Sequence, residues 1–359
     1  MKKIIAYYLP QFHEFKENNE WWGEGYTEWN NVKSAKPLFK GHIQPRIPID
    51  GYYDLTKIDT LVSQVNLAKK YGVYGFCLYH YWFEGKLLME KPSEILLENK
   101  AININFCFSW ANHNFHNKVQ FKKRVLLIEQ TYGELEDWKR HFDYLAAFFQ
   151  DKRYIKIKNK PVFILYDAKN IFKVSEMMKY FNFRSKELGF DGIHFTNTLK
   201  DRLDVEISSI NEFDSQVEYQ PYFSNYYNTF RSRLYDFKRL LCKDIFKKPL
   251  KLQSNKVWHN IVRSTPKNGV QTFIGAYTSW DTSPRWKERG IIHIGGSKEL
   301  FRKYMEIQNN RSSESIGDFL FITAWNEWGE GAYLEGDSQN NYMYLEVISE
   351  LFGNHNNKI

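Results

Sequence analysis

Glu327 and Glu330 stand three residues apart in Trp325-Asn326-Glu327-Trp328-Gly329-Glu330-Gly331, directly after the apolar run 319–324. Two acids and two indoles are thereby crowded at the end of a buried strand. Burying carboxylates costs free energy unless they are paired or hydrogen-bonded, and chains accept that cost chiefly where acids do chemistry. Paired acids beside aromatic platforms suit the making or breaking of a glycosidic bond. One acid protonates the leaving oxygen while the other serves as base or nucleophile. On a strand, a spacing of three points the pair to opposite faces. In a helical turn it makes them neighbours, about 5–6 Å apart between Cβ atoms. Gly329 and Gly331 permit such a turn. The plainer alternative is that one of the two acids is structural.

Candidates for substrate contact follow the other apolar runs. Tyr8 and Gln11 lie at the first, with Glu28 and Trp29 in the Trp- and Gly-rich stretch after it. His80 and Trp82 follow the second, Trp110 and Asn112 the third, and Trp280 and Asp281 the seventh. Trp325, Asn326, Trp328 and Glu335 surround the acid pair. Aromatic faces offer platforms for the C–H faces of sugars, and amides and carboxylates match their hydroxyls. The competing roles are loop ties for Asn112 and Asn326 and a solvated loop for Glu335. His113 and His116 lack a matching third ligand, so no metal is expected. Ser109 and Ser279 are not in nucleophile-elbow context. No Gly-rich phosphate loop is present, and no cofactor is expected.

These residues need elements that bring eight strand ends together. Apolar runs recur at 4–9, 75–79, 102–108, 162–166, 193–196, 215–219, 272–277 and 319–324. Most are continuous rather than alternating, as in parallel strands buried on both faces. Between them lie helical stripes. Ile58, Leu61, Val62, Val65 and Ala68 step by three and four and close with Lys69-Lys70 and Gly72. Leu135, Trp138, Phe142, Leu145 and Phe149 repeat the spacing. Further helices are predicted over 174–188, around Leu300, Tyr304 and Ile307, and around Tyr344, Leu345, Ile348 and Leu351. Eight strand–helix alternations predict an α/β fold, a single (β/α)8 barrel over 1–359. Long insertions at 13–55 and 220–270 should lie over its C-terminal face. An open doubly wound sheet is the runner-up, weakened by the lack of a Gly-rich nucleotide fingerprint.

The chain has 359 residues and a formal net charge of +8, enough length for a sizeable core and a balance that favours anionic partners. Its basic residues are scattered, except between Arg231 and Lys256. Solvated surface lysines are the bland reading of that charge. No helix-turn-helix, zinc-finger or RNA-binding aromatic motif appears, so nucleic acid is not an expected partner. Aromatic residues make up 18%, which fits either a sugar-binding cleft or an AT-rich genome favouring Phe and Tyr codons. Cys77, Cys107 and Cys242 are odd in number and unpaired in spacing, against a disulfide framework or a zinc site, and Cys77 and Cys107, inside apolar runs, read as buried thiols in a reducing compartment. The first apolar run stops at Leu9 before Pro10-Gln11, short for a signal peptide. No stretch is long enough to span a bilayer. The expectation is a soluble, cytoplasmic protein, with at most peripheral contact to an anionic membrane on its inner face.

At three motifs the chain resembles a known family. Ala6-Tyr7-Tyr8-Leu9-Pro10-Gln11-Phe12-His13, Trp22-Gly23-Glu24-Gly25-Tyr26-Thr27-Glu28-Trp29 and Trp325-Asn326-Glu327-Trp328-Gly329-Glu330-Gly331 closely resemble the WbsX family. These are glycoside hydrolase family 99-like proteins associated with bacterial O-antigen and capsule biosynthesis. Trp110-Ala111-Asn112, Trp280-Asp281 and Tyr333-Leu334-Glu335 look like it too. The resemblance implies a (β/α)8 barrel acting on an oligosaccharide or lipid-linked glycan. Family 99 enzymes act on α-mannosides and carry Glu-Trp-His-Glu-Gly. Carried over, Glu327 is the base that deprotonates the sugar 2-hydroxyl. Glu330 is then the acid/base, protonated at rest. The match departs at Gly329, which replaces the family's His, and after Asn112. Related chains often continue there with Glu-Asn-Trp, whereas this one has His113-Asn114-Phe115. Transfer from an activated sugar donor and non-catalytic carbohydrate binding are the competing functions.

Overall fold

The computed structural model describes residues 2–116, 125–210, 213–311 and 318–353. Eight parallel strands close into a barrel: β1 (Lys3–Tyr8), β2 (Val73–Phe83), β3 (Asn105–Trp110), β4 (Lys160–Leu165), β5 (His194–Leu199), β6 (Ser215–Glu218), β7 (Thr272–Tyr277) and β8 (Phe319–Thr323). β1 pairs with both β8 and β2, so the sheet has no free edge in the ring. All eight predicted runs are strands. Their continuity has the expected cause: inward residues fill the barrel while outward ones pack under helices.

Eight helices follow the strands: α1 (Ile58–Lys70), α2 (Lys91–Glu98), α3 (Leu135–Phe149), α4 (Val174–Glu187), α5 (Arg202–Ile210), α6 (Ser254–Ile261), α7 (Lys298–Arg311) and α8 (Met343–Phe352). The period-derived stripes are their buried faces. On α1, Leu61, Val65 and Ala68 are buried and Lys69 and Lys70 occupy the last turn. Ile58 and Val62, counted in that stripe, are exposed at its margin. Inside the barrel the core is largely aromatic. Tyr7 stacks on Tyr79 at 5.6 Å and meets Tyr219 edge-on at 5.2 Å. Cys77 and Cys107 are buried free thiols, register partners on β2 and β3.

The insertion 13–55 carries two short helices, Lys16–Trp22 and Trp29–Ser34. The segment 220–270 is only partly an insertion. It holds helices Tyr222–Tyr226 and Thr229–Leu240, a π-helical turn Leu241–Phe246 and a strand Leu250–Gln253, but it ends in the barrel helix α6. Among the described residues, no helix is long and apolar enough to cross a membrane.

Candidate active site

After β8 the chain pairs briefly through Asn326–Glu327 and then winds into a 3-10 turn, Trp328–Glu330. That turn brings the two acids onto one wall, as a strand could not. Gly331 then takes φ +60°, a left-handed conformation costly for other residues. Gly329 is needed for room instead. A Cβ there would fall 2.7 Å from Arg285 Nε and would also strike Glu28.

Arg285 organises the site. It sits in the short helix Ser283–Trp286 beyond β7. Its Nη1 donates to Glu330 Oε1 at 2.5 Å, its Nε to Glu28 Oε1 at 2.7 Å and its Nη2 to Glu327 Oε2 at 3.3 Å. One guanidinium thus ties three acids from two separate segments. All four residues line a cavity of about 240 Å³ at the C-terminal end of the barrel. Its walls include Tyr79, Tyr81, Tyr166, Tyr219 and Tyr222, with Trp21 and Trp22 from the first insertion. Burial pushes Glu327 up to about 8; Arg285 opposes this, and the charges of Glu330 and Glu28 add to it. Glu330 is raised too, first by burial and also by Glu28, against the pull of Arg285.

Of the residues predicted for the site, Gln11, Glu28, Glu327 and Glu330 line this cavity. The others lie behind it. His80 and Trp82 correct the reading of β2, which runs on through Phe83 instead of stopping near Tyr79. Alternation then sends Tyr79 and Tyr81 inward and His80 and Trp82 outward onto α3. His80 meets His141 at 2.9 Å, and burial lowers it to about 3. Trp82 stacks on His141 at 4.7 Å and donates to Asp137 at 3.2 Å. Trp110 also faces α3, edge-on to His141 at 4.8 Å. Tyr8 faces α1 and donates to Gln64 at 2.7 Å.

Asn112 and Asn326 are loop ties. Asn112 accepts from the Asp167 amide at 2.8 Å and donates to the Asp167 carbonyl at 3.0 Å. Asn326 exchanges the same pair of bonds with Leu9, at 2.7 and 3.0 Å. Glu335 lies beneath the acid turn, not on a solvated loop. It accepts from Trp328 Nε1 at 2.7 Å, Gln64 at 2.7 Å and Tyr53 at 2.8 Å. Burial carries it to about 7 against those hydrogen bonds. Trp328 is stacked on Tyr333 at 3.8 Å. Trp29 packs on Phe12 at 4.1 Å, and Trp325 on Phe76 at 5.0 Å. Trp280 is buried against Tyr222 at 5.5 Å. Asp281 is locked by His42 at 2.8 Å, Gln44 at 2.7 Å and the Ser283 amide at 3.0 Å. Burial alone would raise it, but hydrogen bonds from His42 and Ser283 hold it below the usual range. These residues brace the wall that the cavity-lining acids stand on.

Sequence reasoning missed Arg285 and the tyrosine wall. The available signal was position: Arg285 follows a strand end by few residues, in the same loop as Trp280-Asp281. His113 and Phe115 also line the cavity. Burial lowers His113 to about 4, so it stands there as a neutral imidazole at neutral pH.

Comparison with known proteins adds the family. The model of the glycosyltransferase WbsX family matches residues 4–348. The chain belongs to that family. Two Xanthomonas campestris pv. campestris proteins, each described as uncharacterized protein WxcX, are similar to this WbsX-family chain. They are 31% identical over 364 residues in strain ATCC 33913 and 30% over 361 residues in strain B100. Each match takes in 97% of this chain and 49% of the relative, so the chain spans about half the length of the curated relatives it matches. Among solved structures, a glycoside hydrolase-like protein aligns with TM-score 0.59 and 14% identity, over 98% of this chain and 94% of that one. The GH99 endo-alpha-mannosidase from Bacteroides thetaiotaomicron aligns with TM-score 0.56 and 14% identity, over 97% and 95%. At that identity the likeness speaks for the barrel fold.

Proposed function

We propose that this carbohydrate-active, WbsX-family protein cleaves or transfers a glycosyl unit through Glu327 and Glu330, with retention, in building a bacterial surface polysaccharide. The observation that carries this reading is the shared cavity: both acids on one wall, bridged by Arg285, facing tyrosines and indoles. The chemistry follows from the carried-over roles. Glu327 takes the proton of the sugar 2-hydroxyl as that oxygen attacks the anomeric carbon. Glu330 gives its proton to the departing glycosidic oxygen, leaving a 1,2-anhydro sugar. Glu330 then removes a proton from the acceptor, water or another sugar, which opens the three-membered ring at the anomeric carbon. Glu327 returns its proton to the 2-oxygen. Two inversions give net retention.

Two buried acids and a partly buried third beside one cation favour keeping a proton in the cluster, and both chemical steps need one. Arg285 keeps the remaining charge tolerable. The tyrosines supply flat apolar faces with hydroxyl edges for a sugar ring. The neighbour described as an endo-alpha-mannosidase makes α-mannosides the first substrates to try. Glu330→Gln is expected to abolish turnover of a WbsX-type glycan or α-mannoside substrate while binding of a mannose-like iminosugar persists. Full activity in that variant would remove Glu330 from its role. The family's description as glycosyltransferases supports a second reading, transfer from an activated donor. Strong thermal stabilisation by a nucleotide sugar would favour it over the first.

A further inference from the structure

The helix Thr229–Leu240 is built the wrong way round for a globular surface. None of its residues is buried. Its partly buried side carries Arg231 and Tyr235. It meets the body through Tyr235, edge-on to Tyr226 at 5.3 Å, and Asp236, which accepts from the Tyr226 hydroxyl at 3.3 Å. The apolar side chains point the other way. Phe230 is 78% exposed and Phe237 57%, with Leu234 and Leu240 beside them. The stripe continues into the π-helical turn, where Ile245 is 65% exposed and Phe246 59%. Phe230, Leu234 and Phe237 follow the i, i+4, i+7 pattern of one helical face. Over residues 229–248 there are seven Lys or Arg against two Asp.

We propose that this helix and its π-helical extension lie flat on an anionic lipid bilayer. An exposed Phe/Leu stripe bordered by Lys and Arg is the pattern of a helix that rests in the interface, its apolar face among acyl chains and its cations at headgroup level. The long basic side chains reach up from the edges of the stripe while their methylenes cover apolar area. The charge decides the occupant: a bilayer meets a broad cationic border with a continuous anionic plane. Tyr235 contacts Tyr226, which stacks with Tyr222 at 6.4 Å, and Tyr222 is a wall of the acid cavity. Seating the helix therefore holds that wall near the headgroups, where a lipid-anchored sugar would be presented. Only this last consequence rests on the glycan reading.

The test is flotation of the full chain with vesicles of mixed phosphatidylglycerol and phosphatidylcholine, against phosphatidylcholine alone, without glycan. The protein is expected to float with the anionic vesicles and to be released by high salt. Phe230→Ser with Phe237→Ser should lower the partition coefficient about tenfold or more with Tm unchanged. Phe172→Ser, at an exposed phenylalanine elsewhere, should leave it unchanged. Arg233→Gln with Lys238→Gln should weaken anionic binding and leave the apolar stripe intact. No flotation of the wild type, or equal flotation of the double phenylalanine variant, overturns the proposal. So does lipid-free self-association of the wild type that the same variant abolishes, since the stripe would then belong to a second copy. None of these readouts depends on glycan turnover, so failure here leaves the proposed catalysis standing.

Discussion

Glu28, Glu327 and Glu330, all ionised, would leave two uncompensated negative charges around Arg285 inside a buried wall. Desolvation opposes that state more strongly than one guanidinium can repair, so Glu327, pushed up to about 8, and Glu330 are both raised and the coupled pair shares a proton, which the proposed chemistry places on Glu330. Two outcomes follow at the scale of single residues. The first is kinetic. The cluster acts with one proton to give, and losing it removes the general acid. The rate kcat/KM should therefore fall as pH rises through about 8, with an apparent pKa belonging to the coupled acids. A flat profile across that range would contradict it. The second is thermodynamic. An acid raised from 4.5 to about 8 on folding contributes stability that is complete below 4.5 and lost as pH climbs through 8. Glu327→Gln should therefore match the wild type in Tm below pH 4.5. It should melt progressively higher than the wild type between pH 4.5 and about 8 and keep that margin above. Thermal melts across pH read this directly.

At the level of elements, the turn Trp328–Glu330 and the helix Ser283–Trp286 fit each other through a missing side chain. The guanidinium and Glu28 occupy the space that a residue at 329 would otherwise claim. Gly329→Ala is expected to displace the arginine fork more than the fold, because the end of Arg285 can move while the barrel stays. The expected result is a drop in kcat/KM of about tenfold or more with a small change in Tm. Equal loss of both would point to a purely structural glycine. Elements also explain why the site was only partly legible. The glycines permit a helical turn without requiring it, and the 3-10 turn does bring the acids together. The parity of β2 was not. A strand buried on both faces shows no polar alternation, so nothing local distinguished Tyr79 and Tyr81 from His80 and Trp82.

For the whole molecule, the ring of strands is the unit that gathers these ends. β1 is its keystone, hydrogen-bonded to β2 on one side and β8 on the other. Removing residues 1–8 would expose two strand edges and unseat Tyr7 from the aromatic interior. Such a truncation is expected to lose its cooperative thermal transition and its near-ultraviolet dichroism together. A sharp melt near that of the full chain would show that the barrel closes without β1. The charge of the whole chain also takes on a location at this scale. Seven basic residues against two acids give residues 229–248 a net charge of +5, out of +8 for the chain, beside outward-facing phenylalanines.

Periodicity and composition alone determined the eight strands, most of the helices between them and the strand end at which two acids gather, because burial on two faces and amphipathic helices leave their mark in local sequence. Tertiary structure alone decided the rest. It selected which alternate residues face inward, turned Glu335, Asp281 and most of the tryptophans into bracing, and brought Arg285 to Glu28 across 257 positions of chain. Long-range proximity is set by barrel closure, and no local pattern encodes which distant cation will share a buried wall with a given acid.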